Sequence, residues 1–210
     1  MLMGTPLTAT VASVVFGALA LWYAGRGITG RDVPDQVSNL LHLLMATAMT
    51  AMPWVWAPPA LPQVVAFSAG AFWYVGVALF RPGADADLGI GHGAHGARAH
   101  WYHAGMMLAM VWMAVAMIPG TPAASAMGMD MGHGHTGTAG GGMTGSAPWA
   151  LAVSIALGFG FAVAAGWLVL LLIREAVGTA RRHEVADLAA SAVMAAGMSF
   201  ALLVLMTRPA

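Results

Sequence analysis

Cysteine and lysine are both absent from this 210-residue chain, and charge of either sign is scarce: eight arginines and eight acidic residues make up 8% of it. Without cysteine there are no disulfides, thiolate metal sites or cysteine nucleophiles. The formal net charge is zero, and no basic patch of the kind that binds nucleic acid is present. So few charges also exclude an ordinary soluble domain, because 60% of the residues are hydrophobic. Six apolar stretches, at about 6–25, 38–57, 62–80, 100–118, 148–173 and 186–207, each approach the ~20 residues that cross a bilayer. They do not alternate in polarity as barrel strands do, and backbone groups in lipid must be satisfied internally. The expectation is an all-α fold: a six-helix transmembrane bundle forming a single integral membrane domain over 1–210. The first stretch has no basic region before its apolar core and is long for a signal peptide, so it is expected to be a true helix.

The arginines orient this bundle. Arg26 and Arg31 lie between stretches one and two, Arg81 and Arg98 between three and four, and Arg174, Arg181 and Arg182 between five and six, leaving only Arg208 on the other side. Positive loops stay cytoplasmic, so both termini are expected outside the cell membrane. The longest connection, about 119–147, then lies outside and reads "PGTPAASAMGMDMGHGHTGTAGGGMTGSA". Its Gly, Ser, Thr and Pro content predicts a flexible segment with little secondary structure. The connection "RPGADADLGIGHGAHGARAH" is similarly loose, and its His92, His95 and His100 read as a solvated surface cluster. A weak repeat is visible: odd stretches carry Trp22, Trp73 and Trp167 towards the cytoplasmic end, and even ones open with a histidine or an acid followed by methionines. Three related hairpins are compatible with it.

Methionine is where the sequence departs from generic membrane composition. Of seventeen methionines, none falls in the first, third or fifth stretch. The second holds Met45, Met49 and Met52; the fourth Met106, Met107, Met110, Met113 and Met117; the sixth Met194, Met198 and Met206. A lipid-compatible filler would be shared by all six. At ~100° per residue, His42, Met45, Met49 and Met52 share one stripe, as do His103 and the five methionines after it, and His183, Asp187, Met194 and Met198; Met206 departs. The even helices run in one direction, so His42, His103 and Asp187 are expected near one level with methionines stacked beyond them. Thioether sulfur is a soft neutral donor suited to Cu(I), and imidazole also binds copper. Flexible Met also fills irregular gaps in packing, which is the structural alternative at any single position. In the outer connection, Met127, Met129, Met131, His133 and His135 alternate strictly, so an extended chain places them on one side. Short His-rich tracts point to metal, and the methionines tilt the choice from zinc towards Cu(I) or Ag(I).

The even helices, "SNLLHLLMATAMTAMPW" and "YHAGMMLAMVWM", resemble an actinobacterial family of small multi-pass membrane proteins of unknown function, a resemblance that implies no activity. The segment "MGMDMGHGH" resembles Met/His-rich segments of periplasmic copper-resistance proteins. Met45/Met49, Met106/Met110, Met113/Met117 and Met194/Met198 share the spacing of the Met-x3-Met rings of eukaryotic copper transporters, whose trimers of three-helix subunits differ from a six-helix chain. The leading expectation is a copper(I)-handling membrane protein, a permease or a store, with a methionine axis and a Met/His-rich capture loop. Lipid, copper and a membrane or periplasmic copper protein are its expected partners. One alternative is a haem- or quinone-linked redox protein with His42 and His103 as axial ligands. Another is an accessory subunit of a larger respiratory or copper enzyme. Hydrolase chemistry is disfavoured, since Ser191 and Ser199 have no base beside them in the sequence.

Overall fold

The computed structural model describes residues 6–29, 33–52, 54, 59–80, 96–118, 121–126, 148–177 and 182–206. Among these residues every regular element is helical: α1 (Pro6–Thr29), α2 (Val33–Ala51), α3 (Ala60–Phe80), α4 (Gly96–Ala116), α5 (Pro122–Ala126), α6 (Pro148–Val177) and α7 (Arg182–Met206). Helices α1, α3, α6 and α7 each contain a segment long and apolar enough to cross a membrane. The 19-residue α2 and 21-residue α4 are more polar, with Asp35, Gln36, Asn39 and His42 on the first and His100 and His103 on the second.

Proline explains several boundaries. Pro6, Pro122 and Pro148 each begin a helix, where the missing N–H is not needed and φ is already helical. Helix α2 starts at Val33, five residues before the apolar run, with Pro34 second and Asp35 in its first turn. An acidic side chain there complements the helix N-terminus. The same helix stops at Ala51, short of the expected 57, because Pro53 cannot continue it. The connection 119–147, expected to carry little secondary structure, contains α5. Thr121 caps it: the Ala124 N–H donates to Thr121 Oγ at 3.2 Å, with Pro122 in the first helical position.

Close packing is concentrated in three hairpins, α1–α2, α3–α4 and α6–α7. Each pairs a methionine-free helix with a methionine-bearing one, and the second member lies inside. Within their apolar segments α1, α3 and α6 bury 17, 33 and 22% of residues, against 50% for α7; α2 and α4 supply most of the buried large side chains. Polar contacts tie the hairpins together at each seam. Ser38 Oγ and Tyr74 Oη are 2.9 Å apart between α2 and α3, Trp112 Nε1 donates to Ser154 Oγ at 2.9 Å between α4 and α6, and Arg26 Nη2 lies 3.1 Å from Asp187 Oδ2 between α1 and α7.

Candidate functional site

The interior of this ring is a thioether core. Met45, Met49, Met52, Met106, Met107, Met110, Met113, Met194 and Met198 are each at most 5% exposed and belong to one continuous apolar cluster. Met117 is half-buried and packs against the same cluster. Helices α2, α4 and α7 make few close backbone approaches to one another, so long unbranched side chains occupy the space between them. Met107 is placed differently from an axis-facing donor: its sulfur lies against Gly70 of α3, 3.2 Å from where a Cβ would stand.

At one end of this core, three histidines and all three tyrosines of the chain converge. His42, His100 and His103 are 5, 5 and 4% exposed. The imidazoles of His42 and His103 are 4.8 Å apart and nearly perpendicular. Tyr23 stacks on His42 at 4.9 Å, Tyr74 lies 5.2 Å from His103 and 6.2 Å from His100, and Tyr102 packs 5.3 Å from His103. The N-terminal halves of α2 and α4 and the C-terminal thirds of α1 and α3 supply these groups, and their ring contacts put them at one level of the bundle.

Hydrogen bonding distinguishes the two central imidazoles. His42 Nδ1 lies 2.8 Å from the Ser38 carbonyl. That oxygen can only accept, so Nδ1 carries the proton and Nε2 keeps its lone pair, the arrangement of a ligating histidine. Among the described residues His103 Nδ1 and the Tyr102 hydroxyl are buried without a hydrogen-bond partner. Such orphans are uncommon in folded proteins and mark places where another polar group or an ion belongs.

His100, expected on a solvated surface, is instead buried under Tyr74. Helix α4 begins at Gly96, a turn earlier than the apolar run, so His100 is helical and lies one turn before His103 on the same side. Asp187 is also placed otherwise than expected: its carboxylate is engaged by Arg26. Among the described residues no three His, Asp or Glu side chains converge as a metal-holding group, so any site here needs thioether or hydroxyl donors beside the His pair. Met127, Met129, Met131, His133 and His135 lie outside the described residues, as do His92, His95 and the side chains of His183 and Met206.

The tyrosines were not singled out as candidates. A signal for them existed: Tyr102 adjoins His103, and Tyr23 and Tyr74 lie towards the C-terminal ends of α1 and α3, which antiparallel hairpins bring beside the N-terminal halves of α2 and α4.

The family model for a domain of unknown function, DUF5134, matches residues 34–205. The chain belongs to that family. The match runs from the start of α2 almost to the end of α7, and so contains the methionine core and every histidine of the cluster. No curated protein and no solved structure matches the chain.

Proposed function

We propose that this member of the DUF5134 family is a copper(I)-handling integral membrane protein, not an enzyme. In this reading α1–α4, α6 and α7 all cross the membrane, both termini lie outside, and the segment 127–135 collects the ion there. The observation that carries the proposal is the burial of nine methionines from the inner helices in one cluster that ends at the His42–His103 pair. Lipid-facing filler would lie outside. Soft neutral sulfur holds Cu(I) without first losing a proton and without a net charge buried in lipid. The lone pair on His42 Nε2 and the partnerless His103 Nδ1 are the nitrogen donors where the methionine core ends.

The same pair argues against the haem alternative. Two imidazoles on opposite faces of an iron, with metal–nitrogen bonds of about 2 Å, hold their ring centroids roughly 6 Å apart. At 4.8 Å no macrocycle fits between them, whereas a bent arrangement on one small ion brings the centroids to roughly 5 Å. Hydrolytic chemistry finds no support either. The Ser191 and Ser199 hydroxyls donate to the carbonyls of Asp187 and Gly158, each at 3.0 Å.

The test is metal analysis of purified protein loaded with Cu(I) under reducing conditions, comparing M45L/M49L and M110L/M113L with the parent. Leucine nearly conserves volume and apolarity, so stability should change by less than ~1.5 kcal/mol while the sulfur donors are lost. Copper content should therefore fall at unchanged protein yield. H133A/H135A should weaken capture only when copper is dilute. Wild-type copper content in the methionine variants and in H103A would overturn the reading.

A further inference from the structure

A cavity of about 420 Å³ opens between the N-terminal half of α2 and the C-terminal half of α3, a volume within the ~300–1,000 Å³ of ordinary small-molecule sites. Its lining is mostly apolar and aromatic, with Phe72, Trp73 and Phe80 from α3 and Val33 and Pro34 from α2. The polar lining groups Ser38, Tyr74 and His100 are buried, each at most 7% exposed. The outer rim faces away from the protein, with Val33 66%, Phe72 77% and Phe80 84% exposed. On membrane-spanning α2 and α3, that mouth opens sideways into lipid.

We propose that this cavity binds a lipid-soluble molecule with a planar, carbonyl-bearing head group, the chemistry of an isoprenoid quinone. Counting protons selects an acceptor. The Ser38 and Tyr74 hydroxyls are 2.9 Å apart, so one donates to the other and one hydroxyl proton is left over. His42 Nδ1, 3.4 Å from the Tyr74 oxygen, gives its own proton to the Ser38 carbonyl and accepts none. The remaining proton suits a ligand carbonyl, and the aromatic walls suit a flat ring. Among the described residues the cavity lining holds no arginine to pair with a phosphate, and a phospholipid head is left as an outcome of the test. A bound head group lies one side chain from the histidine pair, because Tyr74 touches both the cavity and His103. The proposal rests on the membrane-spanning reading of α2 and α3 and is independent of copper.

Titrating the detergent-purified protein with decylubiquinone and following tryptophan fluorescence tests it, with Trp73 in the wall as reporter. Quenching should saturate and should diminish in W73F. Gly76 lines the cavity, and a Cβ there meets nothing within 4 Å, so G76L, checked for unchanged yield and melting temperature, places bulk in the site and should abolish saturable quenching. G160L, at a similarly open position on α6, should not. S38A/Y74F removes the donors and should weaken binding roughly tenfold, while M45L/M49L should leave it unchanged. Non-saturating quenching, equal affinity in G76L, or displacement by an equimolar amount of phosphatidylglycerol would overturn the assignment.

Discussion

At the level of single residues, the sharpest steric constraint lies where α1 crosses α7. A Cβ on Gly197 would collide with Cζ of Phe16 and stand 3.0 and 3.1 Å from its Cε1 and Cε2. Phe16 is 5% exposed, so its ring has little room to turn aside. Gly197→Ala should therefore destabilise the protein by about 1–3 kcal/mol, outweighing the ~1 kcal/mol that alanine contributes in a helix. Gly17→Ala, where the new methyl meets nothing within 4 Å, should be neutral or slightly stabilising. Thermal unfolding of both variants in one detergent checks the pair, and equal melting temperatures would remove Phe16 as a steric constraint. Nothing in the sequence near Gly197 announces this contact, because its partner lies 181 positions away in the chain. The methionines were legible for the opposite reason: a periodic stripe on one helix is local information, and restriction to alternate helices already implied a shared interior. His100 was misread because its glycine-rich neighbours suggested solvent, whereas the ring that covers it belongs to Tyr74 on another helix.

Among the helices, the seam between α1 and α7 is the most informative. Lipid supplies no hydrophobic drive for helices to associate, so packing and interhelical polar bonds carry more of the load. The contact between α1 and α7 is sparse, and the Arg26–Asp187 pair is a polar tie across it, with side chains 37 and 23% exposed. Asp187→Asn strands a cation at this seam and should cost about 1–3 kcal/mol, between the values for exposed and buried pairs. The double variant Arg26→Gln, Asp187→Asn leaves two neutral amides and should recover most of that loss. The cycle is read as unfolding of all four proteins in detergent; additive single effects would mean that the two side chains do not stabilise one another. Periodicity and hydropathy placed the six long helices but not their ends. The ends follow proline and capping chemistry: Pro53 cut α2 short, Asp35 and Pro34 drew its start forward, and the Thr121–Pro122 pair built α5 inside a stretch that composition marked as loop.

Across the whole molecule, three hairpins arrange their methionine-bearing members inward, giving the interior a direction. The histidine–tyrosine cluster lies at the end where α1 and α3 finish and α2 and α4 begin, and the methionines extend from it towards the end that carries the connection 119–147. Seven of the eight arginines lie in sequence in or beside the three connections that follow α1, α3 and α6, and positive residues in short connections are held in the cytoplasm. The cluster should therefore face the cytoplasm and the Met/His-rich segment the outside. An alkaline phosphatase fusion after Ala210 should be active, and one inserted at Gly83 should not. Cysteine accessibility gives an independent measure, since the sequence has no cysteine: Pro122→Cys, at the exposed start of α5, should react with an impermeant maleimide on intact cells, and Gly83→Cys only after permeabilisation. In the proposed copper reading, these outcomes would put the soft-donor loop on the side where an ion arrives and the imidazoles on the side where it leaves. The reverse pattern would turn the bundle over, put the loop in the cytoplasm, and make export or buffering the function compatible with the same core.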